Sequence, residues 1–570
     1  MSRFSRLLLA AILTNGFASA FAQAAPAAQT APASAEAVKV DSDTISGLGA
    51  RNIGSATMSG RVAAVNAVDE KGRLTVYIGA ASGGVWKSVN GGTTFKPIFD
   101  KQSVQSIGAI AIDPSNPKTI WVGTGESWMR NSVSVGDGIY KSTDGGDNWT
   151  HMGLKDTEHI AKIIVDPKNG NNVYACAPGH LWNDNAERGL YKTSDGGKTW
   201  TQILKGSNLS TGCGMISSDP TNANTIYASL WDFRRQGWTF RSGGQHNDNG
   251  PQPQSGSDFM KSTDGGQTWQ ALDKTSKGLP AKPWGRVAVA VAPSKPSTVY
   301  TFIESEKSAL YRSDDAGATW TRLDDSQFMN WRPFYFANLI VDPNNPERLF
   351  KVDLNLIMSN DGGKSFSPVS GGLHGDFHDV WIDPKNSDHI IVGNDGGAGV
   401  SYDGANKWVM FQNLPISQFY HVSVDNARPY NVYGGLQDNS SWFAPSSSPG
   451  GISNAQWWNL YGGDGFWVFP DPTDDDYAYA EYQGGEISRI NKKTNESRNI
   501  KPLPDYKEAK LHFNWNTPIH VSPTDKGTLY VGSQYLFRSR DRGQTWERIS
   551  PDLSTKDPNK IKQEDSGGIT

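Results

Sequence analysis

The sequence predicts an all-β propeller built from about ten four-stranded units. Three observations predict it: a turn phrase that recurs along the chain, a second phrase that spaces the units, and a composition suited to short strands and tight turns. The turn phrase, roughly Ser-x-Asp-x-Gly-x-Thr-Trp, has clean copies starting at Ser142, Thr193, Ser262, Ser313, Ser359 and Ser539. The copy at Ser88 carries Asn90 and Phe95, and the copy at Ser401 keeps Asp403, Gly404 and Trp408 but loses the second glycine. A phrase recurring at a nearly fixed period marks one supersecondary unit stacked many times.

The second phrase is a turn followed by a strand. Asp113-Pro114 precedes Ile120-Trp121-Val122, and Asp166-Pro167 precedes Val173-Tyr174; similar turns occur at Asp219, Ala292, Asp342, Asp383, Asp471 and Ser522, with weaker ones at Asp69 and Asp425. Successive turns lie 41 to 73 residues apart, the span of a four-stranded blade. Each unit therefore reads as inner strand, Asp-Pro turn, second strand, loop, third strand, repeated turn phrase and outer strand. Within the phrase, Ser and Asp side chains satisfy backbone N–H groups of their own turn, glycine supplies a positive φ, and the aromatic ring packs between strands. Asp144, Asp195, Asp264, Asp315, Asp361 and Asp541 are accordingly turn staples. Units one to seven each carry a phrase and units eight and nine do not. The expected division is a seven-bladed propeller over 38–415 and the first three blades of a second, cut short, over 416–570. A single ring of ten blades is the alternative.

Composition agrees: 61 Gly, 31 Pro and 20 Trp in 570 residues, with 36% hydrophobic residues, suit many short strands. A net charge of −4 without a basic stripe argues against nucleic acid as a partner. Residues 1–22 read as a signal peptide, with Arg3 and Arg6 ahead of an apolar run and an Ala20-Phe21-Ala22 cleavage site. The expected location is secreted or periplasmic. An Ala/Pro-rich tether over 23–37 is expected to be disordered. No later apolar run is long enough to span a bilayer, so no transmembrane segment is expected after signal cleavage. The two cysteines, Cys176 and Cys213, fall near neighbouring blades at similar depth, and in an oxidising compartment a disulfide between them is expected, with two buried thiols as the alternative.

In such a fold the Asp-Pro turns and the repeated phrases share one face. The remaining loops, with the less regular sequence, share the opposite face around the channel mouth, where a rigid scaffold presents binding residues. Ligand-binding candidates there are Glu126, Trp182, Arg286, His378, Asp379, Asp438 and Trp467. Aromatic rings beside carboxylates and amides suit sugars, whose apolar faces stack while their hydroxyls hydrogen-bond. The phrase His374-x-Asp376-x-His378 has ligand chemistry for a divalent cation, but no further ligand spacing supports it. Neither a metal nor a cofactor is assigned.

The repeated phrase resembles the Asp-box, or bacterial neuraminidase repeat, of sialidases, xyloglucanases and the sortilin family. Gly393-Asn394-Asp395-Gly396-Gly397 and Gly462-Gly463-Asp464-Gly465-Phe466 resemble the glycine-flanked aspartates of xyloglucanases. That resemblance implies Asp395 and Asp464 as a catalytic pair flanking a glycosidic bond. The early Asp-x-Gly-Gly phrase of that family is here Ala81-Ser82-Gly83-Gly84, with no carboxylate. Over nearly the whole mature chain, phrases such as His374-Gly375-Asp376-Phe377-His378 and Gly434-Gly435-Leu436-Gln437-Asp438-Asn439 look like exported bacterial sortilin-like or glycosyl-hydrolase-like repeat proteins. Members of that family are longer, and by that pattern this chain stops mid-phrase at Gly567-Gly568-Ile569-Thr570. The functional expectation is a propeller binding a glycan or peptide at its mouth, with a xyloglucanase-like glycoside hydrolase as the alternative.

Overall fold

Each of the eight repeat turns closes a hairpin in a separate small sheet, and with two sheets that lack the phrase the described residues form ten sheets. The computed structural model describes residues 53–54, 57, 59–129, 133–243 and 255–562; the expected signal peptide and tether lie outside the described residues. Sheets 1 to 10 span residues 62–97, 107–151, 162–204, 211–271, 287–322, 339–368, 377–410, 419–461, 468–499 and 519–548. Each is a four-stranded antiparallel meander in sequence order, and sheet 4 adds a fifth strand, Phe240–Ser242, against its long second strand Asn222–Arg235. This is a β-propeller architecture.

The second strands show why the sheets stack. Asn169–Ala177 is exposed at its turn end and buried throughout its second half, and Val299–Ile303 is buried at every position. A strand buried on both faces needs a neighbour on each side. Nine of the core clusters accordingly join two sheets each. Tyr77 and Val85 of sheet 1 meet Ile107 and Ile120 of sheet 2; Trp121 of sheet 2 meets Ile163 and Val173 of sheet 3. The series continues to Phe350 and Val352 of sheet 6 against Phe377 and Val392 of sheet 7. Sheet 7 then packs on sheet 1, with Ile391, Ala398 and Val400 against Val62, Val65 and Ile78. Sheets 8 and 9 share a separate core around Tyr433 and Val468, and sheets 9 and 10 another around Tyr479 and Leu529.

The box turns hold themselves and also clamp their neighbours. In the box at Ser142, the serine hydroxyl donates to Asp144 Oδ1 at 2.8 Å, while Asp144 Oδ1 accepts the Asn148 N–H at 3.0 Å. The same bonds recur at Asp195, Asp264, Asp315, Asp361 and Asp541. The box aromatics reach farther than the turn: the indoles of Trp149, Trp200, Trp269, Trp408 and Trp546 each donate to a carbonyl in or just after the outer strand of the preceding sheet. In the other direction Lys87, Lys141, Lys192 and Lys261, each one residue ahead of a box, donate to a carbonyl in the box of the following sheet. Adjacent to these, Cys176 and Cys213 form a disulfide between the second strand of sheet 3 and the inner strand of sheet 4.

Candidate functional site

Arg61 stands at the entry to the first inner strand and gathers carboxylates from three other sheets. Its Nε donates to Asp395 Oδ1 at 2.8 Å and one Nη to Glu126 Oε1 at 3.0 Å; the second Nη donates to Asp395 Oδ2 at 3.1 Å and to Asp438 Oδ2 at 3.2 Å. Each partner is aimed by its own loop. Glu126 follows Gly125, whose φ of +81° suits glycine and where a Cβ would lie 1.8 Å from the Glu158 carbonyl oxygen. The Gly125 and Glu126 N–H groups bond to the carbonyl and hydroxyl of Ser106, turning the glutamate inward. Asp395 directly follows the strand Asn386–Asn394, and its N–H donates to the Asp376 carbonyl at 3.1 Å. Asp438 follows the second strand of sheet 8, and its N–H donates to Asp464 Oδ1 at 2.6 Å.

An aromatic collar surrounds the cluster. His378 Nε2 lies 2.5 Å from Asp395 Oδ1, and the Tyr335 hydroxyl donates to Asp395 Oδ2 at 3.2 Å. Trp128 packs on the His378 ring at 5.2 Å, and Tyr335 meets the same ring edge-on at 5.2 Å. Arg286 is buried against Trp128 and Trp231, with guanidinium-to-ring distances of 5.7 and 4.5 Å. Burial by itself raises the Asp395 carboxyl, but Arg61 and His378 beside it outweigh that and hold it well below the usual carboxylate range. Burial likewise opposes the charge on Arg61, and its carboxylate partners raise it well above its ordinary value. At Arg286, burial brings the guanidinium down to about 10, offset in part by Glu304.

Glu126, His378, Asp395 and Asp438 are thus brought together, with Arg286 one aromatic layer away. Asp464 joins through Asp438, and the Gln483 amide oxygen accepts its N–H at 2.9 Å. Asp395 and Asp464 are therefore linked through Arg61 and Asp438, and the Asp395 side chain is wholly buried. Three candidates lie elsewhere. Trp182 is 51% exposed. Trp467 stacks on His421, ring centroids 3.4 Å apart, beside Phe469. Asp379 points back along the inner strands and accepts the Val65 N–H at 3.0 Å; burial raises its carboxyl despite Lys162 and that N–H. His374 and His378 do not converge: His374 Nε2 faces the Asp438 carbonyl at 2.9 Å, whereas His378 turns to Asp395. Sequence reasoning gave no role to Arg61 or to Tyr335. The one available signal for Arg61 was a lone cation entering a strand opposite a surplus of mouth carboxylates.

The comparisons bear on this geometry. A match to the BNR/Asp-box repeat covers residues 260–271, and the same turn bonds recur at the other boxes. The chain is an Asp-box propeller protein. The propeller also matches the family described as Sortilin, neurotensin receptor 3, over residues 83–236. Xyloglucanases are among its distant relatives. The xyloglucanase of Hypocrea jecorina (strain QM6a) is 26% identical over 293 residues, covering 46% of this chain and 32% of that protein. A probable oligoxyloglucan-reducing end-specific xyloglucanase of Neosartorya fischeri is 24% identical over 316 residues, covering 50% and 36%. The chain spans 17% to 36% of the lengths of the curated relatives it matches. Among solved structures, the GH74 xyloglucanase from Xanthomonas campestris aligns with a TM-score of 0.35 at 15% identity, covering 88% of this chain and 94% of that one. No helix among the described residues is long and apolar enough to cross a membrane.

Proposed function

We propose that this Asp-box propeller is an exported, glycan-directed protein of the glycoside hydrolase type, acting at the mouth where sheets 1, 2, 7, 8 and 9 converge. The observation that carries the reading is the relation to xyloglucanases over about half of the chain. Hydrolysis of a glycosidic bond needs two carboxyl groups, one as acid and one as base or nucleophile. Asp464, 5% exposed and held by the Asp438 N–H and by Gln483, is the less enclosed of the phrase-matched pair. Asp395, enclosed by Arg61, His378 and Tyr335, serves in this reading as the anchor that fixes the mouth. The packing of sheet 7 on sheet 1 supports a ring of sheets 1 to 7, with sheets 8 to 10 belonging to a second group.

A second reading, capture of a glycan or peptide without cleavage, is favoured by that same enclosure of Asp395, which leaves the pair one carboxylate short. Depolymerisation of xyloglucan and other β-glucans, run beside a glycan array, separates the two. Asp464→Asn is expected to lower hydrolysis at least a hundredfold with an unchanged melting temperature. Binding without any product from the wild type leaves only the capture reading, and neither binding nor product removes both.

A further inference from the structure

A cavity of about 250 Å³ opens beside the mouth, lined by Gln327, Phe328, Trp331, Asp353, Leu354 and Asn355. Two loops make it. The short helix Gln327–Asn330 leads from sheet 5 into sheet 6, and residues 353–355 follow the second strand of sheet 6, Leu349–Lys351. Both belong to the loop set opposite the Asp boxes.

The floor is built rather than incidental. Lys351 is fully buried, pairs with Asp353, and donates from Nζ to the Phe328 carbonyl at 3.1 Å, so one cation fastens the helix to the loop. Asp353 Oδ1 accepts the Leu354 N–H at 2.6 Å. The backbone of the loop is tied in turn to the segment that carries His378: the Asp353 carbonyl accepts the Phe377 N–H at 2.9 Å, and the Leu354 carbonyl accepts the Asp376 N–H at 3.1 Å. On the other wall, Trp331 packs into the cluster of Trp128, Tyr335 and Phe336. Trp128 and Tyr335 are the rings that hold His378. The cavity and the Arg61 cluster therefore share walls.

Its chemistry selects an occupant. Phe328 and Leu354 remain exposed although large and apolar, and Trp331 adds a second aromatic surface. Gln327 and Asn355 offer amides, and Asp353 offers a carboxylate whose own cation is already buried with it. Among the described residues that line the cavity no side chain is cationic: Lys351 is buried against Asp353, and the exposed Arg332 at the edge acts on the Asp353 carboxylate; the volume lies below the roughly 300 Å³ at which pockets begin to hold drug-sized molecules. An apolar ring face with a hydroxylated rim fits this lining.

We propose that the cavity is an accessory subsite for one neutral pyranose unit of the glycan that reaches the mouth, an assignment that rests on the glycan-directed reading above. The test uses the full chain, with cellohexaose and a xyloglucan oligosaccharide as probes, measured by calorimetry and, where product forms, by steady-state kinetics. Phe328→Ala, at a surface position, and Asn355→Ala are expected to raise Kd or KM about three- to tenfold, as for loss of one aromatic or polar contact, with kcat and melting temperature unchanged. Trp331→Ala is expected to do the same with some loss of stability. Wild-type binding that Phe328→Ala and Asn355→Ala leave unaltered overturns the subsite alone. A wild type that neither binds nor cleaves either probe overturns the subsite together with the reading beneath it.

Discussion

The two faces of the propeller use the same residue, aspartate, in opposite ways. On the box face each carboxylate is satisfied within its own turn. The Asn148 N–H and side chain and the Ser142 hydroxyl bring Asp144 to about 2; the Ser365 hydroxyl, opposed by slight burial, does the same for Asp361. On the mouth face Asp395 is satisfied by His378, 17 residues back on the neighbouring strand, and by Arg61, 334 positions away, and the fold buries all three together. The difference teaches that local staples repeat and tolerate loss one at a time. A buried charge cluster is singular, and its members stand or fall together.

Removing Arg61 is the strongest way to break that comparison. Arg61→Leu leaves Glu126 and Asp395 buried without their cation, and we expect a loss of about 3 to 5 kcal/mol, read by urea denaturation. A loss near zero would show the cluster to be no more demanding than a box. Next is the covalent link between neighbouring sheets. Opening Cys176–Cys213, which closes a separation of 37 residues, is expected to cost about 3 to 4 kcal/mol by loop entropy, measured with and without reductant. Smaller again is a box aromatic: Trp200 is half-buried with its indole N–H on the Met152 carbonyl at 2.7 Å. Trp200→Ala is expected to cost about 2 to 3 kcal/mol without selective loss of ligand; unchanged melting with lost binding would reverse the assignment of that face.

The smallest effect sharpens the comparison through pH. Box carboxyls have folded-state values below those of the unfolded chain, so they contribute stability above about pH 4. That contribution fades as pH falls through the unfolded value towards about 2. Asp361→Asn is expected to lower the melting temperature slightly at pH 7 and to reduce the slope of melting temperature between pH 4 and 2. Equal slopes in wild type and variant would mean the turn does not stabilise the charge.

Much of the fold was legible in the sequence because its instructions are local. A Ser-x-Asp turn closes on itself within eight residues, Asp-Pro turns space the units, and the ten predicted units are ten sheets. The places of Cys176 and Cys213 near neighbouring blades left a disulfide and two buried thiols both open, and the structure joins them. The candidate site was legible only as a face. Glu126, His378, Asp395 and Asp438 stood out as mouth residues, but Trp182 and Trp467 had the same signature and lie apart from the cluster.

By itself, then, the sequence determined the repeating unit, the number of sheets and which loops face away from the boxes, since hydrogen bonds between residues two to four apart write their spacing into the chain. The sequence expected sheet 7 to close on sheet 1 with a ring of ten as the alternative, whereas tertiary structure alone decided that Arg61 meets Asp395 across 334 positions and that Asp395 is wholly buried. Contacts at such separations leave no period to read. They come into being only when stacked sheets bring distant loops to one place and exclude water there, where an ion pair in low dielectric becomes strong and an unpaired charge becomes costly.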